Sequence, residues 1–261
     1  QTNWKETRID PVGTFYSQTD LFADGGNTGY NDFSGTALDT PVPGFGNVIG
    51  LYSALGNNPL LGPVLQSTGL YANGVTPAYG NTLKVASVGK DYNARNDGQF
   101  GFAFRYIAEQ LNSTEFGLYL VNYHAKEPTI AADLGGYNGI DMNALTNLLA
   151  GVAGSQAGAL ADGLATADVM GNIQAHRRYA EDIRMYGFSF NTTLGEASVF
   201  GEVAYRPNLP IGVAATNDLI GDLANGAAAA VTGQSINVGG QMVNLNSEIN
   251  NAERVEAFNT S

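Results

Sequence analysis

The chain has 261 residues, of which only 14% are charged, and its formal net charge at pH 7 is −12. This acidity excludes the basic surface that nucleic-acid binding requires, and the absence of cysteine excludes disulfides, zinc–thiolate sites and cysteine nucleophiles. No window of about 18 apolar residues is present, so no transmembrane helix is predicted. Low charge combined with 34 glycines, 13 tyrosines and 12 phenylalanines is typical of strands that alternate between lipid and water.

The amino-terminal part is predicted to contain one strand near residues 1–8, followed by a long loop over 10–98 that several prolines interrupt. Within this loop, Leu51–Leu65 is apolar enough to pack against the rest of the loop. Oxygen ligands on a glycine-rich loop can hold Ca²⁺, and the weak candidate site consists of Asp20, Asp24, Asn27 and Asp32. Their spacing does not match the calcium-binding helix–loop–helix motif, so a solvated cluster of turn residues is the alternative.

Period-two alternation predicts a first β-hairpin with strands near 99–109 and 115–125. Aromatic residues alternate with a second, mainly small or charged set in the first strand: Phe100, Phe102, Phe104 and Tyr106 against Gly101, Ala103, Arg105 and Ile107. The aromatic face is predicted to meet lipid, and the other face a lumen. Both faces of the second strand are apolar, so its sequence does not decide which face meets lipid and which meets the lumen.

A second hairpin is predicted with strands near 182–192 and 197–206, and a last strand near 252–258. Glu202 and Arg206 fall on one side of their strand. An arginine that faces lipid at mid-membrane costs roughly 2–4 kcal/mol. This side is therefore predicted to face the lumen, unless Arg206 lies at the membrane interface.

The connections 128–181 and 207–250 are long, whereas the two hairpin turns are short. Leucine spacing in Met142–Asp168 predicts one or two short amphipathic helices, and Val213–Val231 shows a weaker form of the same pattern. These helices either hold the loops together or form an apolar lid over a substrate path.

Short turns on one side and long loops on the other are typical of outer-membrane barrels, and compact soluble domains rarely contain such connections. The predicted fold is all-β with helical loop insertions, forming part of an antiparallel transmembrane β-barrel with long extracellular loops. Residues 1–261 form a single region of that barrel. Both ends read as interrupted strands, so a fragment or a processed form is expected, with the remaining strands supplied by other segments or other chains.

Four charged residues are candidates for lining the lumen: Arg105, Glu109, Glu202 and Arg206. The alternative is a structural ladder of ion pairs. The two histidines, His124 and His176, are too few to predict a metal site, and no serine–histidine–aspartate arrangement can be assembled, so an enzyme is not expected. The basic side chains near strand ends, Lys126, Arg177 and Arg178, are expected to meet lipopolysaccharide phosphates or to extend toward the membrane interface.

Several segments together resemble a proteobacterial family of large outer-membrane proteins of uncharacterised function: 4–15, 98–106, 114–124, 181–192 and 201–208. This resemblance implies a long β-barrel in the outer membrane and no catalytic residue. We therefore expect a channel or transporter for small or hydrophobic solutes, without a cofactor except Ca²⁺ at the weak site, and in contact with outer-membrane lipid and lipopolysaccharide. The alternative is a surface-displayed structural or interaction protein without transport activity.

Overall fold

The computed structural model describes residues 28–31, 45–79, 82–134, 136–212 and 216–261. The strands in these ranges are β1 (Thr28–Asn31), β2 (Ala78–Tyr79), β3 (Thr82–Val88), β4 (Phe100–Ala108), β5 (Thr114–Tyr123), β6 (Thr129–Asp133), β7 (Gln174–Arg178), β8 (Ile183–Leu194), β9 (Ala197–Gly212), β10 (Ile236–Val238), β11 (Gln241–Val243), β12 (Ile249–Asn250) and β13 (Ala252–Thr260). The α-helices are α1 (Phe45–Gly56), α2 (Leu61–Gln66), α3 (Met142–Ala153), α4 (Ala157–Asn172) and α5 (Thr216–Val231). The protein is thus mostly antiparallel β-sheet with a few helices, which confirms the predicted all-β class with helical insertions. Among the described residues, no helix is long and apolar enough to cross a membrane.

The longest strands form one antiparallel sheet in the order β13-β9-β8-β5-β4, which we call the meander sheet. Each strand pairs with the next one of the set along the chain. The β4–β5 turn contains the 3-10 helix Glu109–Leu111, and the β8–β9 turn is two residues long, with Gly195 in the left-handed region at φ 65°. Both turns lie at the same end of the sheet, and the long connections leave from the other end. Within the described ranges, the edge strands β4 and β13 pair with no further strand.

The predicted long loops contain a second sheet, which sequence analysis did not find. This mixed sheet has the order β1-β3-β7-β6-β12, with β2 also paired to β3. Among the strands that the structure describes in this sheet, only β3 and β7 run parallel. Its strands have two to seven residues, which is too short for period-two alternation to distinguish them from loop.

Helices cover one face of the mixed sheet and form the main hydrophobic core with it. Helix α3 begins where Asp141 accepts a 2.9 Å hydrogen bond from the Ala144 backbone N–H. Fully buried side chains from α1, β3, α3 and α4 meet in this core, among them Ile49, Leu83, Val85, Leu145, Leu164 and Met170. Of the prolines in the predicted long loop, Pro63 does not interrupt an element: it lies in the first turn of α2, where backbone N–H groups have no helical acceptor.

Candidate functional site

One face of the meander sheet is aromatic and exposed. A single row across all five strands, defined by strand register, contains Phe102, Leu120, Tyr186, Tyr205 and Phe258. The Tyr205 and Phe258 rings stack 4.6 Å apart, and the Tyr186 and Tyr205 rings 6.3 Å apart. Phe102 is 67% exposed and Phe258 is 69% exposed. This surface, which we call the apolar face, packs against nothing in the described part of the chain.

The apolar face continues one row toward the turns with Phe104, Leu118, Phe188 and Val203. These side chains are also exposed, Phe104 by 64% and Leu118 by 55%. Register therefore settles the orientation of β5, which its sequence left open: Leu118 and Leu120 share the face of the phenylalanines. Fully burying one such side chain is worth about 1.5–3 kcal/mol, so a large apolar surface here requires a covering medium or partner.

The opposite surface, which we call the polar face, contains small and hydrophilic side chains. One row consists of Arg105, Gly117, Ser189 and Glu202, and the adjacent row of Ala103, Tyr119, Gly187, Ala204 and Asn259. Short polar contacts connect neighbouring strands: Arg105 Nη1 lies 3.7 Å from Glu115 Oε1, Tyr119 Oη lies 3.3 Å from Ser189 Oγ, and Arg206 Nη1 donates to Asn259 Oδ1 over 3.2 Å. Ile107 and Phe200 also lie on this face, beside the hairpin turns.

Three of the predicted lumen-lining residues, Arg105, Glu202 and Arg206, share the polar face. The fourth, Glu109, lies beyond the end of β4 in the 3-10 turn and is exposed there. The strand predicted near 99–109 ends one residue earlier, at Ala108. The candidate calcium ligands Asp20, Asp24, Asn27 and Asp32 lie outside the described residues.

A cleft of about 770 Å³ opens where the meander sheet meets the mixed sheet, at the end opposite the hairpin turns. Its lining includes four carboxylates and two guanidinium groups: Glu181, Asp182, Glu248, Glu253, Arg178 and Arg254. Arg178 Nη1 donates to Glu248 Oε1 over 2.6 Å, and its guanidinium lies 5.7 Å from the centre of the Tyr92 ring. Arg254 Nη2 donates to the backbone oxygen of Glu181 over 2.7 Å.

His176 lies beneath this cleft, on the face of the mixed sheet that is opposite the helices. Strand register places it beside Ala131, with Asn250 beyond. Its side chain is 3% exposed, its Nδ1 lies 3.9 Å from Asp133 Oδ2, and its Nε2 lies 3.9 Å from Glu248 Oε2. No hydrogen-bond partner is found for Nε2 among the described residues. Burial lowers the pKa of His176, partly offset by these two carboxylates.

His124 joins the segments that lead into β4 and β8 by hydrogen bonds. Its Nδ1 accepts from the Asp182 backbone N–H over 3.0 Å, so its Nε2 carries the proton and donates to the Asp97 carbonyl over 2.8 Å. The residue is 1% exposed. We interpret His124 as a connector that fixes the start of β8 rather than as a metal ligand.

The adjacent arginines near the end of β7 are engaged within the chain. Arg177 Nη2 lies 3.0 Å from Asp91 Oδ2, and Arg178 is paired with Glu248. Lys126 is exposed. Of the three basic residues expected to meet lipid phosphates, only Lys126 is without a short-range carboxylate contact in the described part of the chain.

A buried carboxylate that sequence analysis missed lies in the helical core. Asp168 of α4 is 0% exposed and accepts hydrogen bonds from Tyr52 Oη at 2.6 Å, Tyr137 Oη at 2.8 Å and the Tyr71 backbone N–H at 3.3 Å. Burial raises its pKa, and these donors oppose that shift. The sequence contained one signal that could have indicated this buried site, an aspartate within the mostly apolar segment Ala165–Met170. All three donors satisfy it, so the cluster is a structural centre of the core.

In the part of the chain that the structure describes, no group of three or more His, Asp or Glu side chains could hold a metal ion. Among known proteins, the chain matches the family described as Protein of unknown function (DUF1302) over residues 1–261. It belongs to this family. No curated protein and no solved structure matches the chain. For a DUF1302 chain, function must therefore be argued from the two faces of the meander sheet and from the cleft.

Proposed function

We propose that this chain forms part of an outer-membrane β-barrel that acts as a channel or transporter for small solutes. The observation that carries the proposal is the division of the meander sheet into an aromatic face and a small, polar face, both of them accessible. A soluble sheet buries its apolar face and exposes its polar one. A membrane barrel does the reverse, with apolar side chains toward lipid and polar ones toward the lumen.

The dimensions of the apolar face fit a membrane. From Tyr186 to Leu194, strand β8 advances about 26 Å at roughly 3.3 Å per residue. When strands tilt by about 35–45°, this length covers most of an apolar band about 25 Å tall. Arg105 and Arg206 lie on the other face, which avoids the roughly 2–4 kcal/mol cost of an arginine at the bilayer midplane.

The two ends of the meander sheet differ in the way expected for an outer-membrane barrel. The two short turns close one end, whereas the helices, the mixed sheet and the cleft stand at the other. In an outer-membrane barrel, short turns face the periplasm and long loops face the exterior. We therefore assign the mixed sheet and its helices to an extracellular cap. The polar lining of the cleft and of the polar face favours hydrophilic solutes over hydrophobic ones.

Site-directed spin labelling tests the proposal directly, because the chain contains no cysteine. Single cysteines at Phe102 and Phe104 probe the apolar face, and cysteines at Ala103 and Arg105 are matched controls one residue away. In liposomes, labels at 102 and 104 should be accessible to oxygen, and labels at 103 and 105 to a water-soluble nickel chelate. The proposal fails if the four labels show no alternation, or if the full chain is recovered without detergent in an aqueous fraction.

The second candidate function is that of a surface-displayed interaction protein. It is favoured by large apolar side chains that are exposed to solvent on the cap. Leu60, just before α2, is 79% exposed, and Val152 of α3 is 85% exposed. This candidate shares the membrane location but predicts no conductance. Electrical recording from the purified full chain in a lipid bilayer separates the two functions.

A further inference from the structure

The charges of the cleft do not cancel. Glu181 and Asp182 share a single guanidinium, that of Arg95, which lies 2.8 Å from Glu181 Oε2 and 2.6 Å from Asp182 Oδ1. Glu248 is paired with Arg178. Glu253 forms no ion pair among the described residues. The four carboxylates carry four negative charges, whereas the nearby arginines, Arg95, Arg178 and Arg254, carry three positive ones. The cleft is therefore negative at neutral pH.

Buried His176 does not supply the missing positive charge. Its Nε2 lies 3.9 Å from Glu248 Oε2 and has no hydrogen-bond partner in the described part of the chain. Because burial lowers its pKa below the ordinary value, the imidazole is neutral at pH 7. Asp133, on the other side of the ring, adds a further carboxylate to this part of the mixed sheet.

Glu253 connects the cleft with the polar face. It pairs with Ile211 in register and lies on the same side of β13 as Asn259, the partner of Arg206. The extra residue that shifts the register lies in β9, so the alternation along β13 is unbroken. Glu253 therefore belongs both to the lining of the cleft and to the side of β13 that carries the polar face, whereas Ala252 and Arg254 line the cleft from the other side of the strand.

We propose that the cleft is a cation-preferring vestibule of the channel, in which Glu248 and Glu253 determine the preference for small monovalent cations over anions. Uncompensated carboxylates in a cleft with protein walls concentrate counter-ions, and acidic side chains are the usual selectivity device of cation pores. The inference rests on the proposed function and identifies its substrate class.

The test is the reversal potential of the full chain in a planar bilayer of neutral lipid, under a tenfold KCl gradient. We expect potassium to permeate several-fold better than chloride, and this ratio to rise as total salt is lowered because screening weakens. E253Q should shift the ratio toward one. E248Q should shift it in the same direction, because it leaves the charge of Arg178 without its carboxylate partner. E196Q is the matched control, since Glu196 is an exposed carboxylate on the β8–β9 turn at the opposite end of the sheet, and it should leave the ratio unchanged.

The outcomes separate the two proposals. Two outcomes would overturn the cation preference but leave the channel in place. One is conductance with equal potassium and chloride permeability at low salt. The other is a permeability ratio that E253Q and E248Q alter no more than E196Q does. Absence of conductance from wild-type protein that has inserted into the bilayer overturns the proposed function, and the vestibule with it. If a variant fails to fold, the salt dependence of the permeability ratio of the wild-type protein still tests the cation preference.

Discussion

Tyr52 donates a 2.6 Å hydrogen bond to Asp168, 116 positions further along the chain, and both side chains are fully buried. This contact joins α1 to α4 in the centre of the cap. Tyr137 donates to the second carboxylate oxygen over 2.8 Å. The cap therefore depends on one carboxylate that organises three segments of the chain.

Replacing Asp168 with alanine should lower the free energy of unfolding of the cap by about 2–5 kcal/mol, because it leaves buried hydroxyl donors without an acceptor. Thermal melting of the helical circular dichroism signal at 222 nm measures the loss. Asp162→Ala is the control, since Asp162 is an exposed residue of the same helix, and it should change the melting temperature little. Equal effects of the two variants would contradict a central role for Asp168.

Asp168 should also make the stability of the cap depend on pH. Burial raises the pKa of Asp168 above its ordinary value of 3.8, so the folded state holds its proton more tightly than the unfolded state does. Its contribution is therefore fully present below pH 3.8 and is lost as the pH rises through the raised pKa. Urea unfolding of wild type and Asp168→Asn between pH 4 and 8 should show wild type losing stability relative to the variant as pH rises. A difference that is independent of pH, or of the opposite sign, would disprove this assignment.

Two glycines of α4 should respond in opposite ways to alanine. A Cβ at Gly171 would overlap Thr76 Oγ1 and lie 2.6 Å from Thr76 Cβ, whereas a Cβ at Gly158 meets nothing within 4 Å. Gly171→Ala should destabilise the cap by about 1–3 kcal/mol, and Gly158→Ala should stabilise it by up to about 1 kcal/mol. Adding Thr76→Ala to Gly171→Ala should recover part of the loss in denaturant titrations. Without any such recovery, the clash with Thr76 would not be the cause.

The assignment of faces predicts that arginine is tolerated on one side of β4 only. Phe104→Arg should reduce the stability of the liposome-inserted protein by about 2–4 kcal/mol, because the guanidinium would meet hydrocarbon. Ala103→Arg, on the polar face, should cost clearly less. Urea-dependent folding into liposomes measures both. If the two variants are equally destabilised, the faces do not differ in their contact with lipid.

The strands of the meander sheet could be predicted because each carries its own signal. Phe100, Phe102 and Phe104 alternate with small or charged residues, and local alternation alone specifies a two-faced strand. The same holds for the helical insertions, where leucine spacing around Leu145 and Leu149 led to α3.

The cleft and the Asp168 cluster could not be predicted, because their members come from distant parts of the chain. Tyr92 and Arg178 meet in an isolated parallel bridge, and no local pattern specifies such a pairing. The barrel, its membrane location and the resemblance to large outer-membrane proteins stay predictions that the experiments above address.

By itself, the sequence determined which residues form the long strands, and that the first of them has an aromatic side and a side with small and charged residues, since side chains alternate strictly along an extended backbone. Only the tertiary structure decided that the intervening segments build a second sheet and a helical core with a buried carboxylate, and that Glu248 and Glu253 line one cleft. Those features depend on long-range contacts, which form when the core closes around distant segments and which leave no periodic trace in the sequence.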